Sequence, residues 1–195
     1  TYFYIPNELY YSFGPQLVKQ INNQGGMEAI NEALYQLPTA EQIYEPEKYF
    51  SGEVYEKVII EDLIVTDYNL VKEGTIGALD IPYILQDTIG RVASVKAAIG
   101  LGGGAWKDYV NSSQQLMMSL KMTGDTPEDL EEIYNAYIAW ANAQERFTSV
   151  ESFEGGMLYI GETNVWISND STHVRMLLTQ DLEIFNEITT QISRF

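Results

Sequence analysis

The stretch Gly155-Gly156-Met157-Leu158-Tyr159-Ile160-Gly161-Glu162-Thr163-Asn164-Val165-Trp166-Ile167 sets short runs of aromatic and β-branched side chains between glycine and asparagine. Such side chains fit the pleated, half-buried surface of a sheet, so the spacing predicts strands over 157–160 and 164–167 joined by a turn around Gly161-Glu162. Residues 174–178 repeat the pattern as a third strand, and 182–192 follow with the apolar spacing of an amphipathic helix. Upstream lies the clearest helix start in the chain. Thr126 fits the N-cap, Pro127 the first helical position, and Glu128 and Asp129 place negative charge at the positive end of the helix dipole. Leu130, Ile133, Tyr134, Tyr137, Ile138 and Ala141 then form a stripe running towards Phe147. A small meander between two helices makes this half α+β.

The first third reads as helical. From Asn7, the residues Leu9, Tyr10, Phe13, Leu17, Val18 and Ile21 recur at helical spacing, with Pro15 placing the firm part after it and Gly25-Gly26 as the stop. Met27, Ile30, Ala33, Leu34 and Leu37 form a second stripe closed by Pro38. Thr39-Ala40-Glu41-Gln42 has the spacing of a capping box and opens a third, short helix that ends at Glu45-Pro46. The β-branched residues of 54–65 predict one strand or two short ones. Helices are expected over 79–89, with Pro82 in the first turn, and over 91–99. Gly100, Gly102, Gly103 and Gly104 around Leu101 are expected to break regular structure, before strands over 106–111 and 116–122. The expectation is one α+β domain over 1–195, mostly helical, with a small antiparallel sheet and a C-terminal β-meander followed by a helix.

Composition excludes more than it selects. The chain has 195 residues with 28 acidic against 11 basic side chains, a formal charge of −17, no cysteine and one histidine, His173. Disulfides, thiolate metal sites, a cysteine nucleophile and sites needing two imidazoles are thereby ruled out. The charge repels phosphate backbones, so nucleic acid is not an expected partner. No run approaches the ~18 apolar residues of a transmembrane helix, and the start lacks the pattern of a signal peptide. The first residue is Thr1, which fits a mature, extracytoplasmic chain or a fragment of something longer.

No familiar catalytic motif is complete. The glycine run lacks the lysine and Ser/Thr of a phosphate loop, and no serine stands in a G-x-S-x-G setting. His173 has no acidic residue at ligand spacing and reads as a surface or core histidine. Carboxylates such as Glu128, Asp129 and Glu162 could line a hydrolytic cleft if two faced each other about 5 to 10 Å apart. The 14 tyrosines, among them Tyr2, Tyr4, Tyr10, Tyr11, Tyr134, Tyr137 and Tyr159, suit interface or core packing. Asn111-Ser112-Ser113 and Asn169-Asp170-Ser171 match the glycosylation acceptor pattern, which is common by chance.

Several pieces stand in a set order along the chain: Phe13-Gly14, Leu17-Val18 and Gly25-Gly26; Ala33 to Pro38 with Thr39, Glu41-Gln42-Ile43 and Pro46-Glu47-Lys48-Tyr49; Gly74 to Gly77; Ala97-Ala98 with the glycine run; and Asp125-Thr126. In this order they resemble the C-terminal region of bacterial and archaeal proteins similar to neutral zinc metallopeptidases. The resemblance implies that the zinc helix H-E-x-x-H-A-L-Q-D-Q and an E-G-D-A segment belong upstream, so no catalytic, cofactor-binding or metal residue carries over to this chain. Ala78, Tyr44-Glu45, Leu101 and Gly104 depart from polar or aromatic positions of that group. The implied role is a non-catalytic scaffold or substrate-contact domain whose tyrosine-rich N-terminal helix packs on an upstream metallopeptidase-like segment or protein partner. The alternatives are a carboxylate-based hydrolase and an acidic module that self-associates through aromatic residues.

Overall fold

The strands expected over 157–178 exist, but as part of a larger sheet. The computed structural model describes residues 9–192; Tyr2, Tyr4 and the side chain of Tyr10 lie outside what is described. A π-helical turn (Leu9–Phe13) leads into α1 (Gly14–Tyr35), α2 (Ala40–Tyr44) and α3 (Pro46–Ser51). Then come β1 (Tyr68–Thr75), α4 (Asp80–Ile89), α5 (Arg91–Ile99), β2 (Leu101–Asn111), β3 (Leu116–Gly124) and α6 (Pro127–Asn142). The chain continues through β4 (Phe147–Phe153), β5 (Gly156–Gly161), β6 (Asn164–Asn169), β7 (Val174–Thr179) and α7 (Ile184–Ile188). All seven strands form one antiparallel sheet in the order β1-β2-β3-β7-β6-β5-β4. The class is α+β, with C-terminal strands followed by a helix.

Because side chains alternate along a strand, each face of this sheet has its own core. Leu120 and Met122 of β3 meet α4, α5 and α6, packing with Leu85, Ala98, Ile133 and Tyr137. Met117, Tyr109, Trp166 and Leu177 face the other way, under Ile60, Leu63 and Val65 of residues 54–66 and Phe185 and Ile188 of α7. A third, small core belongs to the arm formed by α1–α3: Leu17, Ile21 and Ala33 with Ile43, Tyr49 and Phe50 against them. No helix among the described residues is long and apolar enough to cross a membrane.

Residues 54–66 are not a strand. They form a strap across the sheet face, and burying one side against that face produces the same alternation that pairing at an edge would. Side chains replace a ladder: the Leu63 N–H donates to the Tyr109 hydroxyl (3.1 Å), and the Gln191 amide both accepts from the Ile64 N–H (2.9 Å) and donates to its carbonyl (2.8 Å). The glycine run, expected to interrupt regular structure, instead opens β2. The strap presses on it there: Glu56 N–H donates to Gly102 O (2.6 Å), and a Cβ on Gly103 would collide with the Glu56 carbonyl.

Three further boundaries differ from the sequence reading. Gly25-Gly26 kinks α1 at Gly26 (φ 64°, ψ −154°) without ending it, because only glycine tolerates that geometry. The terminal helix shortens to Ile184–Ile188. Strands β1 and β4 were not anticipated: both are edge strands with mostly exposed residues, so they carry no buried alternation. Each edge has a bulge, between Leu70 and Lys72 and between Phe147 and Ser149, which discourages pairing with another sheet.

Candidate functional site: the acidic cleft around Lys48

The site begins with the capping box. Thr39 Oγ1 accepts from the Gln42 N–H (3.2 Å) and Gln42 Oε1 accepts from the Thr39 N–H (3.0 Å), which fixes the first turn of α2 and leaves Glu41 as its buried residue. Gln42 Nε2 also donates to Glu53 O (2.7 Å). Pro46 starts α3, and Gly52, left-handed at φ 73°, ends it with its N–H on Lys48 and Tyr49 carbonyls. That turn brings Glu53 back alongside Lys48. Asp125 arrives from the other side of the junction, in the turn before α6, with its N–H on Gly100 O (3.1 Å).

Lys48 Nζ donates to Glu41 Oε1 (2.7 Å) and to Asp125 Oδ2, and pairs with Glu53 Oε1 (3.0 Å). The three carboxylates offer oxygens within 4.8 Å of one another, a hard-cation type of donor set, and the Lys48 ammonium contacts all three. Desolvation raises the Glu41 carboxyl to about 8, the Lys48 hydrogen bond pulls the other way, and the negative charges of Asp125 and Glu53 raise it further. For Lys48, burial opposes the charge, but hydrogen bonds to Asp125, Glu41 and Glu53 win and hold the ammonium above its ordinary value.

This cluster borders a cleft of about 500 Å³ that also includes Glu45, Lys96, Asp129 and Glu132. Gly100 makes room in it, since a Cβ there would sit 2.6 Å from Asp129 Cβ. Asp129 is tied to the helix cap: its N–H donates to Thr126 Oγ1 (3.1 Å), whose hydroxyl donates to Asp129 Oδ2 (2.7 Å). Lys96 pairs with Glu132. Of the three acids singled out from the sequence, Asp129 therefore enters a cleft with other carboxylates, whereas Glu128 and Glu162 are exposed and do not line it.

His173 lies just before β7, with Nδ1 2.9 Å from Thr172 Oγ1. Burial and the nearby cations Lys121 and Arg175 push its pKa down. Lys121, not singled out from the sequence, is buried opposite Arg175 in the β3–β7 register, and its Nζ donates to Ile59 O (3.3 Å). Burial and Arg175 lower its pKa. The Lys48 cluster was also missed. Its available signal was a lysine following a capping box within an acid-rich stretch; the decisive partner, Asp125, is distant in sequence. Among the described residues, Glu41, Glu53 and Asp125 form a group of metal-type donors within mutual reach, and His173 is not part of it. Compared with protein-family models, with curated proteins and with solved structures, the chain finds no match.

Proposed function

We propose that this chain is a non-catalytic α+β domain, similar to the region downstream of the zinc site in metallopeptidase-like proteins, with a scaffold or substrate-contact role. The observation that carries the reading is that the acids gathered at the candidate site are already engaged by a cation of the chain itself. Lys48 engages Glu41, Glu53 and Asp125 at the junction of arm and sheet, so these acids hold the architecture together. The contact role is supported by the arm, where Tyr11, Val18, Met27, Leu34, Tyr35 and Leu37 are all exposed. Titration calorimetry with zinc tests the assignment: no one-equivalent site is expected, and a tight one would overturn it. A second reading, a carboxylate-based hydrolase, is favoured by Asp129 sharing its cleft with Glu45 and Glu53. Turnover of chromogenic glycosides that Asp129→Asn abolishes would move the assignment there.

A further inference from the structure

We infer that the groove between the end of α1 and the start of the strap is a docking site for a basic polypeptide segment bearing an apolar anchor. The groove encloses about 430 Å³, with Tyr49, Phe50 and Tyr55 among its walls and Leu37 and Val54 at its rims. Leu37 is 74 % and Val54 79 % exposed, and beside them on α1 Leu34 is 66 % and Tyr35 94 % exposed. Exposed apolar residues scattered singly need no explanation, but Leu37 and Val54 both line one groove walled by three aromatic rings, which marks an interaction surface.

The groove is also preformed. Its polar wall is already satisfied, because Thr39 and Gln42 bond each other and Gln42 bonds the Glu53 carbonyl. An apolar side chain entering it therefore displaces water without stripping a partner from those groups.

Charge decides the occupant. No lysine or arginine is among the lining residues to repel a cation; the one charged residue there, Glu53, has its carboxylate paired with Lys48, so the attraction comes from the acids around the groove. Glu32 on the last turns of α1 and Glu56 just past Val54 are both exposed, and the whole chain carries −17. A second copy would bring the same acids and the same net charge, so self-pairing is opposed, whereas a basic segment is drawn in and held in register. The inference rests on the contact role proposed above and supplies its partner's chemistry.

The test uses the full chain and two labelled amphipathic helical peptides, one of leucine and lysine, the other of leucine and glutamate in the same pattern. Fluorescence anisotropy should show binding of the lysine peptide alone. Leu37→Ser and Val54→Ser should each weaken it at least about tenfold, a change of about 1.4 kcal/mol. Val92→Ser, at a residue 86 % exposed on α5 that does not line the groove, should leave it unchanged. The docking site is overturned if neither peptide binds, if both bind alike, or if the groove variants bind like the parent, which would mean attraction to the acidic surface alone. It is equally overturned if sedimentation shows a dimer that Leu37→Ser dissociates. Because both substitutions are at exposed positions, thermal melts of the variants should match the parent and separate lost binding from lost folding. A zinc site found with peptide binding intact would remove the non-catalytic reading and leave the groove standing.

Discussion

Substituting Gly103 by alanine tests how the strap is held. A Cβ there would lie closer to the Glu56 carbonyl oxygen than real Cβ atoms approach, and that oxygen belongs to backbone, which has no rotamer to escape into. The strap must lift. Lifting it breaks the Glu56 N–H to Gly102 O bond (2.6 Å) and strains the Tyr55 hydroxyl, which accepts from the Gly104 N–H (2.6 Å) and lies 3.0 Å from the Ile76 carbonyl. Each net hydrogen bond contributes about 0.5 to 1.5 kcal/mol, and overpacking a tight contact costs roughly 1 to 3 kcal/mol. The expected loss is about 3 kcal/mol, a large part of a typical domain's roughly 5 to 15 kcal/mol. Urea denaturation measures the loss. Hydrogen exchange should place it, with the Glu56 and Leu63 amides losing protection while β5 and β6 keep theirs. A loss below about 1 kcal/mol with strap protection unchanged would refute this account of the glycine run.

Lys48→Met leaves Glu41, Glu53 and Asp125 around a missing cation and should cost about 3 to 5 kcal/mol by denaturation, with part of the loss recovered in millimolar calcium; a cost below about 1 kcal/mol contradicts the central role given to Lys48. Glu41 has a folded-state pKa raised from 4.5 to about 8, so the folded state holds the proton more tightly and stability should fall as pH rises through that window. Glu41→Gln, which needs no proton, should flatten that slope between about pH 5 and 8, and an unchanged slope would assign the effect to another group. Tyr137→Phe removes a fully buried hydroxyl that has no hydrogen-bond partner among the described residues, so its thermal midpoint should stay level or rise, whereas a drop of several degrees would reveal a partner.

What the sequence discloses depends on whether the controlling contact is local. Thr39 with Gln42 and Thr126 with Asp129 are three residues apart, and both caps form where the spacing places them. The meander is legible for the same reason: β5, β6 and β7 are buried on both faces, and their apolar runs are marked off by nearby turns. The strap misleads because alternation reports one-sided burial and says nothing about hydrogen-bond partners. The glycine run misleads differently. None of Gly100, Gly102, Gly103 and Gly104 has a positive φ, so their conformational freedom, the usual reason to read a break, is unused; they serve close approach instead.

The Lys48 cluster shows why the candidate site lay beyond such reading. Its carboxylates come from α2, from the turn after α3 and from the turn before α6, so only the packed structure gathers them. Gathering them has a physical consequence for the arm. The arm has its own small core, distinct from the two cores of the sheet; Ala40 reaches the sheet core beneath α6, and Lys48 reaches Asp125. Glu53 belongs both to this ionic junction and to the docking groove, and its carbonyl accepts from Gln42. The groove is therefore built on the residue that anchors the arm, and its geometry is set by the same contacts that fix the arm against the sheet.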